Sequence, residues 1–339
     1  MSLEFRHIAH AYGQTRALEA ISFTAPEGEI TCLLGASGCG KSTLLNLAAG
    51  LLGVQEGSVL VGGEVLADSA TNPPPEARPV GLVFQDGALF PHMTIAKNVA
   101  FGLPRDQRGK AEAMLNQVGL AGLGARFPHE LSGGQQQRAA LARAMAPDPQ
   151  VLLMDEPFAS VDIVLRRKLR RDCRRLLRER GATVVLVTHD PEEALDIGDR
   201  IAVMEGGRIV QFGTPQELHD RPATASVGAI FGGAQIVEAT RTEAGLETAF
   251  GVWSADCVQA DPPDAGALDL LVHAGELELV ADDQGLAVRD VHPIGSATRV
   301  LLTDASGQEL TVETEDAVDA NARYSVSPRA GSVRAFARD

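Results

Sequence analysis

Gly35-Ala36-Ser37-Gly38-Cys39-Gly40-Lys41-Ser42-Thr43 decides the fold of this chain. It follows the apolar run Ile30-Thr31-Cys32-Leu33-Leu34, whose length fits a buried strand. It precedes Leu44, Leu45, Leu47, Ala48, Leu51 and Leu52, apolar positions at helical spacing. A glycine-rich turn between strand and helix is the context that makes a G-x-x-x-x-G-K-[ST] pattern a nucleoside triphosphate site. Gly35, Gly38 and Gly40 permit turns and close backbone approach that a Cβ would block. Backbone N–H groups and the helix start then face the phosphates. Lys41 is expected to reach the β- and γ-phosphates, and the Ser42 hydroxyl to ligate Mg²⁺. The bland alternative, an accidental glycine-rich turn, is disfavoured by the strand and helix on either side.

A second stretch, Leu131-Ser132-Gly133-Gly134-Gln135-Gln136-Gln137-Arg138, has the S-x-x-Q form of a capping box. It predicts a helix from about Gly133 to Ala146, stopped by Pro147. Alone, this is an ordinary helix cap. Two consecutive glycines in a first turn cost helix propensity, however, and they strip side chains from a helix end that a phosphate could approach. The run from Phe127 to Arg138 also closely resembles the signature sequence of ATP-binding-cassette (ABC) transporter ATPases. That resemblance implies a homodimer of ATPase subunits closed head to tail around two ATP molecules. Ser132, Gly133, Gly134 and Gln135 of each subunit would then serve the ATP held by its partner.

Val151-Leu152-Leu153-Met154 leads into Asp155-Glu156-Pro157. A buried strand ending in two carboxylates places both at the strand's carboxyl edge, where open α/β sheets bind ligands. Asp155 would organise Mg²⁺, directly or through water, and Glu156 would orient or deprotonate the attacking water. An isolated Asp-Glu pair would read as a solvated loop; the phosphate loop upstream favours the catalytic reading. A third strand, Thr183 to Thr188, ends at His189, and Asp190-Pro191-Glu192-Glu193 reads as a helix start.

The ABC resemblance assigns His189 as the switch histidine that touches the γ-phosphate. It assigns Gln85, after Val80-Gly81-Leu82-Val83-Phe84, as the glutamine linking the Mg²⁺ site to the membrane partner, and Tyr12 as the aromatic residue stacking on adenine. Where the family usually shows Ser-Ala-Leu-Asp, this chain has Ala159-Ser160-Val161-Asp162. Asp162 keeps the subunit-contact aspartate, while the first hydroxyl is lost or displaced by one position.

The 339 residues suffice for two domains, and a 45% hydrophobic content reads as globular. No apolar stretch approaches the ~20 residues of a membrane span, and Met1-Ser2-Leu3-Glu4-Phe5-Arg6 lacks the character of a secretory signal. The expectation is a peripheral protein on the cytoplasmic side of a bacterial inner membrane. The ABC resemblance implies that it docks on transmembrane permease subunits and serves a periplasmic substrate-binding protein indirectly. A net charge of −15 argues against a nucleic-acid partner. Cys32, Cys39, Cys173 and Cys257 lack C-x-x-C spacing, which leaves a zinc or redox site unsupported. The run Arg166 to Arg178 predicts an amphipathic helix with Leu165, Leu169, Cys173, Leu176 and Leu177 inward. Its arginines read first as a solvated face, and second as contacts to anionic lipid or to acidic parts of the chain.

The expected fold is α/β. Residues 1–232 form a P-loop ATPase domain of ABC type, with a mixed sheet, an antiparallel β layer and a helical subdomain at about 86–147. Residues 233–339 carry short β runs from Leu268 to Val326 that predict a small all-β barrel. Their length and position resemble the C-terminal region of ABC import ATPases, which implies a regulatory domain with an oligonucleotide-binding-like barrel.

The resemblance implies an enzyme that converts ATP and water to ADP and phosphate and so energises an importer. Gly35 to Gly40, Leu89 to Thr94, Arg126 to Leu131 and Ala146 to Pro149 look most like ferric-iron import subunits, with polyamine, sulfate or another small solute as alternatives. Val272-His273-Ala274-Gly275-Glu276 stands where such relatives often have Arg-Pro-Glu, a departure that weighs on the cargo. A soluble ABC ATPase of translation or DNA repair would favour two fused cassettes, a long coiled-coil insertion or a basic surface, and this chain has none of these.

Overall fold

Apolar runs with continuous rather than alternating hydrophobicity belong to strands covered on both faces. The computed structural model, which describes residues 1–159, 161, 163–259 and 265–338, places three such runs at the centre of a sheet. In chain order, β1 (Leu3–Tyr12), β2 (Thr15–Ala25), β3 (Ile30–Leu34) and α1 (Lys41–Ala49) precede β4 (Glu56–Val61), β5 (Glu64–Asp68) and β6 (Val80–Val83). The helices α2 (Ile95–Val99), α3 (Lys110–Gln117) and α4 (Gly133–Met145) come next. Then β7 (Val151–Asp155), α5 (Ile163–Glu179), β8 (Thr183–Thr188) and α6 (Pro191–Ile197) alternate, before the hairpin β9 (Arg200–Glu205) and β10 (Arg208–Gly213).

The main sheet has the order β10-β9-β3-β8-β7-β6, parallel except for β10. Every residue of β3 and β8 is buried, and β7 is buried up to Asp155. Helix α1 packs on β6, β7 and β8, and α6 packs on β3 and β8. The register levels the strand ends. Leu34 pairs with Thr188, Asp155 with Val187, and Val83 with Met154. The loops at the carboxyl ends of β3, β6, β7 and β8 therefore emerge along one edge. A second, antiparallel sheet has the order β2-β1-β4-β5 and shares a core with α1 through Leu3, Phe5, Ile8, Leu18, Leu44 and Leu47.

Between β6 and β7 the chain is helical in three pieces. Asn98, fully buried in α2, pins the loop before it: its Nδ2 donates to the carbonyls of Phe90, Met93 and Thr94, and its Oδ1 accepts from Phe90 N–H. Helix α4 packs against α2, α3, α5 and β6.

The chain divides into two compact units, residues 1–216 and 217–339. The division falls before the expected 232/233 boundary. After α7 (Pro215–Asp220), helix α8 (Ala225–Gly232) packs on three strands of the C-terminal unit and so belongs with it. Those strands are β11 (Gln235–Thr242), β14 (Ala267–Val272) and β19 (Arg334–Ala337). With β12 (Gly245–Thr248) and β13 (Gly251–Trp253) they form a sheet of order β13-β12-β11-β14-β19. The other sheet, β17-β16-β15-β18, contains β15 (Leu277–Ile294), β16 (Ala297–Thr303), β17 (Glu309–Thr314) and β18 (Arg323–Pro328). Both sheets contribute to one core, an all-β half-barrel in which buried Trp253 donates Nε1–H to the Val326 carbonyl at 3.0 Å. The runs Leu277–Val280 and Leu286–Val291 are one strand, β15, with a register break between Ala281 and Leu286.

Candidate active site

The phosphate loop is shaped by two steric limits. Gly40, at φ 101°, precedes the first residue of α1, and a Cβ there would fall 2.6 Å from the Ala17 carbonyl. A Cβ on Gly35 would fall 2.3 Å from the carbonyl of Met204 in β9. No other residue type fits either place without moving backbone. Lys41 is buried, and its ammonium donates to the carbonyls of Gly35 at 2.8 Å and Ala36 at 2.9 Å. Tyr12, half exposed at the end of β1, has its hydroxyl 3.4 Å from Thr43 Oγ1 and meets the His10 ring edge-on at 4.9 Å.

Ser42 Oγ donates to Asp155 Oδ1 at 3.2 Å, joining the start of α1 to the end of β7. Burial pushes the Asp155 carboxyl above the usual range, against the Ser42 hydrogen bond that favours its charged form; nearby Glu156 adds to the rise. A carboxylate held in that state is stabilised by a cation.

Glu156 leaves the strand at φ 42°, a left-handed conformation unusual outside glycine. Its N–H donates to the Val187 carbonyl of β8 at 3.0 Å, which anchors the turn. Such a backbone stores on the order of 1–3 kcal/mol and is found where a side chain must be aimed. The carboxylate gathers two partners: His189 Nδ1 lies 3.1 Å from Oε1, and Gln85 Nε2 donates to Oε2 at 3.5 Å. The edge thus brings together the phosphate loop, Tyr12, Gln85, Asp155, Glu156 and His189.

Ser132 to Gln135 lie elsewhere, at the start of α4. Ser132 N–H donates to Gln135 Oε1 at 2.9 Å, the backward half of the expected capping box. Gln136 braces the turn by donating to the carbonyls of Pro128 and Leu131. Ser132 and Gly133 are exposed. Among the described residues, no hydrogen bond joins Ser132–Gln135 to the phosphate loop, the acidic pair or His189. Asp162 lies outside the described residues.

The arginine-rich helix keeps a solvated face in Arg167, Lys168, Arg171 and Arg175, which are exposed, and departs from it on the side toward α6. Arg170 is 2% exposed and ion-pairs with Asp190, with Glu193 at 3.5 Å and with Asp196 at 3.3 Å. Arg174 and Arg178 both reach Asp199, and Arg138 of α4 reaches Asp172 at 2.9 Å. Burial pushes the Glu193 carboxyl up to about 7, although the Arg170 guanidinium opposes the rise. The sequence shows acids at 190, 193, 196 and 199 and bases at 170, 174 and 178, but not their pairing: Arg170 takes the first three acids, and Arg174 and Arg178 share Asp199. Leu169, Cys173 and Leu177 face the core as expected, Leu176 is only partly buried, and the side chain of Leu165 lies outside what the structure describes.

A family model described as ABC transporter matches residues 18–159. The sulfate/thiosulfate import ATP-binding protein CysA of Burkholderia mallei is 41% identical over 357 residues, covering 99% of each chain. The chain belongs to the ABC transporter family. The Fe(3+) ions import ATP-binding protein FbpC of Rhizobium etli is 43% identical over 298 residues, 85% of this chain and 83% of the relative. Among solved structures, a nucleotide-free ATP-binding cassette from an ABC transporter superposes with TM-score 0.61 at 25% identity, over 68% of this chain and 99% of that one. As an ABC import subunit the chain binds ATP, couples its hydrolysis to transport and works peripherally with membrane permease components. No helix among the described residues is long and apolar enough to cross a membrane.

Proposed function

We propose that two copies of this chain close head to tail around two ATP molecules on the cytoplasmic side of the inner membrane. Hydrolysis there drives permease subunits that receive cargo from a periplasmic binding protein. One observation carries the reading. Glu156 is aimed by its backbone between His189 and Gln85, next to the Asp155 that Ser42 holds, while among the described residues the exposed Ser132-Gly133 helix start makes no hydrogen bond to that site.

Residues 35–43 bind the triphosphate through backbone N–H groups and Lys41, whose ammonium exchanges loop carbonyls for phosphate oxygens. Ser42, Asp155 and Gln85 supply only oxygen ligands, with Ser42 Oγ and Asp155 Oδ1 already 3.2 Å apart, which fits a hard cation completed by phosphate and water. Mg²⁺ held there would neutralise charge on the β- and γ-phosphates. Glu156 orients the attacking water and takes its proton. His189, with Nδ1 turned to Glu156, keeps Nε2 for a γ-phosphate oxygen. Tyr12 stacks on the adenine, and Ser132, Gly133, Gly134 and Gln135 of the second copy complete the phosphate shell, with Asp162 at the contact between copies.

Gln85 marks where the permease is felt. Phe84, Phe101 and Phe127 are exposed apolar side chains of this helical region, with Phe90 packed on Phe101 at 4.5 Å. We read the surface near Gln85 as the seat of a cytoplasmic permease helix.

Complementation tests the shared site. Lys41→Ala and Ser132→Arg chains are each inactive alone. Mixed, they regain ATPase activity, because one of the two composite sites is then whole. A mixture as inactive as its components overturns the head-to-tail dimer.

The cargo is an inorganic ion, ferric iron first. The phosphate-loop sequence favours it and the Fe(3+) relatives are compatible with it, while the sulfate/thiosulfate relative, matched over 99% of each chain, supports an anion as the second reading. Uptake of labelled ferric iron and labelled sulfate by cells lacking this chain separates the two.

A further inference from the structure

Two arginines one turn apart on α5 hold two different loops. Arg166 donates through Nη2 to the carbonyl of Val161 at 2.8 Å and of Ala159 at 3.4 Å, and through Nε to Val161 at 3.2 Å. These carbonyls belong to the loop after the acidic pair. Arg170 reaches the other way, to Asp190 directly after His189. Asp190 is fixed on two further sides. Its Oδ1 accepts from the N–H groups of Glu192 and Glu193, capping α6, and its own N–H donates to Thr188 Oγ1 at 3.0 Å. His189 therefore stands between two pinned neighbours, while its ring is 56% exposed.

A guanidinium 2% exposed beside a carboxylate 5% exposed is costly. An apolar pair of similar volume would fill the same space without that cost, so the ion cluster is unexplained by packing alone. What the charges add is direction: a planar fork fixes the Asp190 carboxylate in a way an apolar contact cannot.

We propose that Arg170, acting through Asp190, is a positioning residue for His189, and that Arg166 ties the same helix to the loop at Ala159 and Val161. Helix α5 then works as a strut: displacement of that loop by the second copy is passed to the histidine beside Glu156. The proposal rests on the reading of His189 as the γ-phosphate contact.

The test uses the full chain. Asn caps a helix as well as Asp does, so Asp190→Asn keeps the start of α6 and removes only the charge that Arg170 holds. Steady-state ATPase and binding of a fluorescent ATP analogue are measured for Asp190→Asn, Arg166→Gln, His189→Ala and the double variants with His189→Ala. In Asp190→Asn, kcat falls about tenfold, the size of one lost charge-assisted hydrogen bond, while nucleotide affinity stays within about twofold. In the His189→Ala background, Asp190→Asn costs nothing further, because both act through one ring. Arg166→Gln lowers kcat in the same way. A wild-type kcat in Asp190→Asn, or a full further loss on top of His189→Ala, overturns the proposal. A wild-type kcat in Arg166→Gln overturns the link to the loop. A wild-type rate in His189→Ala instead overturns the reading of the histidine itself.

Discussion

His189 Nδ1 lies 3.1 Å from Glu156 Oε1, across the ends of two neighbouring parallel strands, β8 and β7. The contact exists because Glu156 turns off its strand with positive φ while its N–H holds the Val187 carbonyl.

Glu156→Gln keeps the turn and a hydrogen-bonding side chain but loses the base. Expected is a kcat lower by about 10²–10⁴, the usual share of a general base, with ATP binding retained. ATPase assays beside gel filtration in ATP check this; the variant runs as a dimer that wild type leaves on hydrolysis. Normal turnover would remove Glu156 from the role of base.

Lys41→Ala removes the one buried cation of the phosphate loop. ATP affinity is expected to fall by about tenfold or more, since a charge-assisted contact to phosphate is lost. Titration with a fluorescent nucleotide measures it. Unaltered affinity would mean that backbone N–H groups alone bind the triphosphate.

Specific ATPase activity of wild type is expected to rise with protein concentration, as a site shared by two chains requires. Ser132→Arg sets a long cation on the exposed start of α4 and should flatten that rise near zero activity. A rate strictly proportional to concentration and indifferent to position 132 would mean each chain hydrolyses alone.

Stability should carry a signature of Glu193. Burial holds its folded carboxyl at about 7, above its ordinary value of 4.5, so between those values the folded chain binds more protons than the unfolded chain. This contribution is complete below the unfolded value and is lost as pH rises through the folded one. Denaturant unfolding at about pH 5 and about pH 8 should show wild type losing up to about 3 kcal/mol more than Glu193→Gln across that interval. Parallel losses in both proteins would argue that Glu193 ionises at its ordinary value.

The chemistry of the edge was legible because it is local. The phosphate loop, the acidic pair and the strand-end histidine each come directly after a short apolar run, and parallel strands in register carry such ends to one place. The positive φ of Glu156 was not legible, since no turn residue marks it. The fate of the arginines was half legible. Their spacing gave the helix, but whether a guanidinium meets water or a carboxylate depends on which helix lies beside it, and only the packing of α5 on α6 decides that. In the C-terminal unit, β11, β12 and β19 escaped notice because Thr, Glu and Arg dilute their alternation, and β13 because it spans only three residues, whereas β14 and β16 are denser in Leu and Val.

Trp253 and its neighbours form a core of their own, and every group assigned to ATP lies before residue 217. The two halves can therefore accumulate change on separate schedules. A lineage can rewrite the β-rich half around its own core while the residues assigned to ATP stay as they are.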